Sequence, residues 1–366
     1  MPRQTKAIIN LKNLESNYEL VQSLAPNSKN VAVIKADGYG HGLVEVAHFL
    51  EAKVPAFAVA FFEEAVILRE SGVKKPIIIL QGVHEESEII FAAENQCWPM
   101  VHSFHQVETI LNCPLSSKLF CWIKIDVGLH RLGMNERDIL KSIELLLDCP
   151  WVDDALVISS HFSHAPEISS DNNSIQLKEF NRIYHNIETK FSRHFERSMA
   201  NSASLVDEKN SQFEWNRPGM ILYGLPVFTR QHKIDEYLKP VMTLKSRILA
   251  IREIERGESV GYGGTWVASR KSKIATIAIG YADGYPRHAS NGTPMFIRNQ
   301  KASLTGCISM DMLSADVTDI KGVEIGDEVE LWGSNISAKT VADKSDTISY
   351  ELLTGLTPRV DRIYHS

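Results

Sequence analysis

The chain has 366 residues, with 39 Lys+Arg against 45 Asp+Glu and a net charge of -6. That length accommodates two domains and a large core, and the mild acidity gives no support to binding nucleic acid or an anionic membrane. No apolar segment is long enough to span a bilayer, and residues 1–6 run directly into a strand-like 7–10 with no evident signal peptide. Five scattered cysteines (Cys97, Cys113, Cys121, Cys149, Cys307) contain no C-x-x-C spacing, the usage expected of reduced, packed thiols in a cytoplasmic protein.

The first stretch with chemical content is 31–42. Its apolar residues are continuous, which reads as a buried parallel strand. Lys35 then stands at the strand's carboxyl end, where α/β enzymes place their chemistry. Gly38, Gly40 and Gly42 allow a tight turn and a close approach to a ligand. A lysine partly removed from water has a lowered pKa and can act as an amine nucleophile, so Lys35 is a candidate Schiff-base lysine. The alternative is a strand-end lysine that snorkels to solvent.

From residue 31 to about 224, strand-like and helix-like stretches alternate. The expected strands are 31–35, 56–60, 76–80, 98–101, 119–127, 155–161, 197–201 and 219–223. Helical patterns at 63–70, 103–111, 136–147 and 174–195 lie between them, and another opens at Leu43. Eight strands with crossovers fit a closed (β/α)8 TIM barrel better than an open sheet; the last crossover, 203–216, is short and irregular. Near residue 230 the texture changes to short β-rich runs separated by Gly, Asn and Asp turns, the pattern of an antiparallel barrel or sandwich. The expected architecture is therefore α/β, with a barrel over 1–232 and a β-strand-rich C-terminal domain over 233–366. The strand at 7–10 precedes the barrel and is a candidate to join the second domain.

Residues just after the barrel strands should gather on one rim. Lys124 and Asp126 belong to the fifth strand and Arg131 to its loop; His161 ends the sixth, Asn201 ends the seventh, and Arg217 opens the eighth. With no acidic cluster beside these cations, an anionic ligand fits better than a metal. Barrel strands seven and eight commonly supply phosphate-binding loops, a role that suits Ser202, Gly219 and the Met220 amide. His161 and His164 are three apart on a strand-to-loop segment and need not face the same way, so no metal site is expected. Cys307 has no assigned base, and no G-x-S-x-G, Walker A or dinucleotide-binding glycine pattern is present.

Taken together, 31–42, Lys124-Ile-Asp-Val-Gly-Leu-His-Arg131, 217–224, Val260-Gly-Tyr-Gly-Gly-Thr and Gly280-Tyr-Ala-Asp-Gly-Tyr-Pro-Arg resemble alanine racemase, over nearly the whole chain. The resemblance implies a pyridoxal 5′-phosphate (PLP) enzyme with a cofactor-binding barrel and a β-rich domain. It implies a head-to-tail homodimer in which the partner's second domain completes each site. It also implies interconversion of L-alanine and D-alanine, supplying D-alanine for peptidoglycan. By the same resemblance Lys35 bonds the cofactor, Tyr39, Ser202, Gly219, Met220 and Tyr350 contact its phosphate, and Asn201 lies beside them. Arg217 faces the pyridine nitrogen with His161 bonded behind it. Arg131 reaches the cofactor's phenolic oxygen and the substrate carboxylate. The second subunit contributes Tyr262 as the other catalytic base and the Met310 amide as a carboxylate donor, with Tyr281 and Asp311 at the substrate entrance. Lys124 aligns with a lysine that is carbamylated in many members of the family.

The implied chemistry uses two opposed proton carriers, Lys35 for the D enantiomer and Tyr262 for the L enantiomer. The charges of Arg131 and Arg217 are expected to favour a neutral amine and a phenolate. Arg217 does not give up its proton, so the pyridine nitrogen should remain unprotonated, which weakens the cofactor as an electron sink and disfavours transamination. His164, Pro166 and Ser309 depart from common patterns of the family without touching either base. Two rival readings are a PLP-dependent amino-acid decarboxylase of the same barrel fold and a non-catalytic PLP-binding protein. The first lacks its cysteine motif and glycine-rich phosphate loop here, and the second lacks a β-rich domain. A Schiff-base aldolase without PLP rests on fold alone.

Overall fold

The computed structural model describes residues 5–167 and 171–366. Residues 1–4, read above as leading straight into a strand, lie outside the described residues. No described helix is long and apolar enough to cross a membrane.

Lys29–Asn30 and Ala32–Val33 form one strand broken at Val31. It pairs with Trp215–Asn216 on one side and Phe57–Val59 on the other. Ile77–Ile79, Cys97–Val101, Trp122–Lys124, Val157–Ser159 and Glu196–Ser198 follow in parallel succession, so the ring closes into an eight-stranded barrel. Strands such as Phe57–Val59 and Ile77–Ile79 read as uninterrupted apolar runs because both faces are covered, by the barrel core inside and by helices outside. Ile77, Ile78 and Ile79 are all fully buried.

The eighth strand is not where the apolar run 219–223 suggested. Trp215–Asn216 is the strand, and Met220–Tyr223 is a single 3-10 turn. Pro218 has no N–H to continue a ladder, and Gly219 (φ -124, ψ -85) turns the chain aside. The turn is buried on all sides, which imitates a strand in sequence. Arg217 therefore follows the eighth strand and does not open it. The crossover expected at 174–195 is the helix Asp171–Phe191, ended by Ser192 at φ 48.

The second domain is an eight-stranded sheet that curls on itself, because the long strand Met242–Ile254 also pairs with Ser272–Ile277. A register shift between Ile248 and Ala250 bends that strand. Lys6–Asn10 hydrogen-bonds antiparallel to Met242–Ile254 and parallel to Asp361–His365. The chain thus begins in the second sheet and enters the barrel through the helix Leu11–Leu24, which the sequence reading did not place.

Asn17 fastens that helix to the return crossing. It is fully buried, donates to Leu222 O at 3.0 Å and Lys239 O at 2.8 Å, and accepts from Lys239 N at 2.9 Å. Asn17→Leu fills the space but leaves three backbone groups without these partners. It should lower stability by about 3 kcal/mol, read as a shifted urea midpoint with unchanged slope. A change below about 0.5 kcal/mol would mean the amide is idle.

Candidate functional site

A cavity of about 470 Å³ opens at the carboxyl ends of the barrel strands. Lys35, Tyr39, Lys124, Arg131, His161, Asn201, Ser202, Arg217, Gly219, Met220 and Tyr350 all line it. Tyr350 comes from the second domain, on the short helix Ser349–Thr354.

Immediately after Lys35 the backbone enters an unusual turn. Ala36, Asp37 and Tyr39 have φ of 53°, 55° and 53°, alongside Gly38 and Gly40. Left-handed geometry costs an L residue about 1–2 kcal/mol, so three such residues within four positions must be held by their surroundings. Ala36 N donates to Glu64 Oε1 at 2.6 Å, and Leu43 N to Asp37 Oδ1 at 2.9 Å. Burial pushes His41 down to about 4, so its ring is neutral; Nδ1 carries the hydrogen and donates to Gly38 O (3.0 Å) and Tyr39 O (2.9 Å). The turn carries the Tyr39 ring onto Tyr223, with centroids 4.7 Å apart, and beside Tyr350 at 5.8 Å. The Tyr39 hydroxyl faces Gly219, where an added Cβ would lie 2.4 Å from it. Gly219 is thus a glycine because of a neighbour's position and not because of its own φ.

At the same corner Ser202 Oγ accepts from Gly219 N at 2.9 Å and from Ile221 N at 3.3 Å. The Asn201 side chain caps the Ser202–Asp207 helix, accepting from Ala203 N and Ser204 N. In the loop that leads to Arg131, Asp126 Oδ1 accepts from the amides of Gly128, Leu129 and His130 at 3.0–3.2 Å. Its carboxylate is spent on shaping the loop that presents Arg131. The Asp-x-Gly spacing is a turn signature that could have identified this role in sequence.

Arg217 is buried, and its guanidinium donates to the Ser198 hydroxyl and, at 2.5 Å, to Ser160 O. The expected bond from His161 to Arg217 is not among these; Ser198 and the Ser160 carbonyl hold the guanidinium instead. A serine inside a strand carries no sequence signal for such a role.

The cleft is electropositive. Burial and then the Arg131 charge lower Lys35, with Glu64 opposing. Burial, Arg217 and Arg131 bring Lys124 down to about 8. Burial and the surrounding cations hold His161 well below its ordinary range, so it is neutral. Burial pulls Arg217 down to about 10, which leaves it charged at neutral pH. This environment favours an anionic ligand and an uncharged Lys35 amine.

Tyr262, Met310, Tyr281 and Asp311 do not line the cavity. They sit on the second domain, where Tyr262, Met310 and Tyr281 are 72%, 53% and 38% exposed. Tyr281 N donates to Ser309 O, and Ala282 N to Met310 O, so these loops adjoin. Asp311 accepts from Arg359 at 2.7 Å.

A family model described as the N-terminal domain of alanine racemase matches residues 9–226, and one for the C-terminal domain matches 241–364. An alanine racemase of Alteromonas mediterranea is 43% identical over 366 residues, with 99% of each chain covered. The crystal structure of a biosynthetic alanine racemase from Pseudomonas aeruginosa superposes with a TM-score of 0.93 at 37% identity, covering 100% of both chains. That of an alanine racemase from Bartonella henselae with covalently bound pyridoxal phosphate gives 0.89 at 30% identity, also covering 100% of both.

The Lys124 amine supplies a test of the electrostatics. With its value lowered from 10.5 to about 8, the native chain binds fewer protons than the unfolded chain between those limits. Stability should therefore rise with pH across that window, and the penalty of the buried charge is fully present below it. In buffer free of carbon dioxide, Lys124→Met should stabilise the protein by up to about 3 kcal/mol at pH 7, with the gain fading towards pH 10.5. Urea midpoints across pH measure this, and a gain independent of pH would refute it.

Proposed function

The chain belongs to the alanine racemase family, whose members interconvert L- and D-alanine, and we propose that it does so with PLP held at Lys35, in a homodimer that shares its active sites. The observation carrying this reading is the convergence of the Lys35 amine, buried Arg217 and the Ser202–Gly219 corner on one cavity. The family assignment disfavours the decarboxylase and PLP-carrier alternatives.

The residues present fit the cofactor. A lysine with a lowered pKa can bond its aldehyde, a cationic floor suits its negative charge, and the Gly219 position admits nothing larger than hydrogen beside Tyr39. Lys35 would hold it covalently; Tyr39, Ser202, Gly219, Met220 and Tyr350 would contact its phosphate, with Asn201 capping that corner; Arg217 would face its ring nitrogen. When bound, PLP supplies an electron-withdrawing ring that acidifies the substrate's α C–H.

The chain's own groups do the rest. Arg131, presented by the Asp126 turn, would bind the substrate carboxylate. The neutral Lys35 Nζ would take or return the α proton on one face. Tyr262 from a second copy would act on the other face through its phenolic oxygen, with the Met310 amide supporting the carboxylate. Tyr281 and Asp311 would line the approach. Exposure of Tyr262, Met310 and Tyr281 on one chain supports their burial in such an assembly.

Lys35→Ala and Tyr262→Phe should each abolish D-alanine formation from L-alanine, followed by chiral chromatography. Unfolded and refolded together in equal amounts, they should recover roughly a quarter of native activity, because half the dimers are mixed and each has one intact site. No recovery from well-folded mixed dimers would exclude sharing between subunits.

Lys124 should carry a carbamate. Near pH 8 a good fraction of its amine is uncharged. The nitrogen attacks carbon dioxide, an N–C bond forms, and the displaced proton passes to solvent. The product is an anion beside Arg131, turning repulsion into attraction. With ¹³C-labelled bicarbonate, the native protein should show a carbamate carbon resonance that Lys124→Ala lacks. An identical spectrum from both would overturn the assignment.

A further inference from the structure

The segment that follows Lys35 is gripped from behind by the last strand of the chain. Arg362, on Asp361–His365, donates from Nε to Gly40 O at 2.8 Å. Its Nη2 lies 3.4 Å from Asp37 Oδ2, and the side chain is only 18% exposed. Two residues on, hence on the same face of the strand, Tyr364 places its hydroxyl where a Cβ on Gly42 would sit. The Arg362 contact is mainly to a backbone carbonyl, so it fixes where the chain runs. Gly40 is covalently next to Tyr39, whose hydroxyl meets the Ser202–Gly219 corner.

We propose that Arg362 is a positioning residue for the phosphate end of the cofactor site: by tying the Asp37–Gly40 turn to the second domain it aims the Tyr39 hydroxyl at the corner formed by Ser202 and Gly219. It touches neither substrate nor cofactor. The second domain thereby tunes the barrel's affinity for the phosphate group within one chain, separately from any residue lent across a dimer. The inference rests on the reading of this cleft as a PLP site.

The test compares two ligands that differ by the phosphate alone. Apo-protein, native and Arg362→Gln, is titrated with PLP and with pyridoxal, following protein fluorescence. Arg362→Gln should weaken PLP binding about tenfold while leaving pyridoxal within about twofold of native, the loss expected for one misplaced hydrogen bond to a charged group. Arg362→Lys keeps the charge but not the planar donor, and should fall between the two; it also serves if the glutamine variant does not fold. Equal losses for both ligands would mark a merely structural role and overturn the proposal. So would PLP affinity unchanged from native. A native chain that binds PLP no better than pyridoxal would overturn the cofactor reading, and this inference with it.

Discussion

Everything at the cleft depends on a backbone conformation that L residues resist. The chain from Ala36 to Gly40 runs left-handed, and nothing in its own residues favours that apart from two glycines. It persists because it is over-determined from both sides. Glu64 holds its first amide from the barrel, His41 ties its carbonyls together, and Leu353 leaves no room for a side chain on Gly40. The second domain is therefore a wall of the barrel's cleft. The start of the chain belongs to the same arrangement, since Lys6–Asn10 joins the final strand to the sheet and so fixes the side of the turn that the barrel does not reach.

The second constraint is charge. Lys35, Lys124, Arg131 and Arg217 converge on one cavity, and two nearby carboxylates, Asp126 and Glu64, are turned onto backbone amides. Such a cluster costs stability, and both lysines are lowered, by burial first and then by the neighbouring cations. Sequences rarely accept a local conflict of this kind without a functional return. Burial, with the Arg131 charge added to it, favours the uncharged form of the Lys35 amine.

Much of the barrel was legible because buried parallel strands are continuous apolar runs, and rim residues follow wherever such a run stops. That logic failed at 219–223, where a 3-10 turn buried on every face is as apolar as a strand. It also passed over Leu11–Leu24, whose buried stripe includes a polar Asn17 serving two carbonyls. The candidate cations at the strand ends do share one cavity, yet what holds Arg217 was not readable. Its partners are a backbone carbonyl and a strand serine, which look like any others. Tyr262 was the least legible of all. Between glycines in a β-rich segment it reads as a turn residue, and only the family resemblance marks it as a proton carrier.

The placement of Tyr262 has a geometric logic. A group that exchanges protons on both faces of a flat substrate complex needs carriers on opposite sides. Lys35, Tyr39, Lys124, Arg131 and Arg217 all rise from the barrel and line one cavity. On the proposed reading, the carrier opposite Lys35 comes from a second copy of the chain. Within one chain the exposed tyrosine stands outside the cavity, on a turn whose flanking Gly261, Gly263 and Gly264 all adopt positive φ. A large aromatic side chain held out in water by a backbone that few residues can adopt gains nothing from its own domain. The proposed dimer would account for that exposure, since a second copy of the chain would supply the cleft that Tyr262 enters.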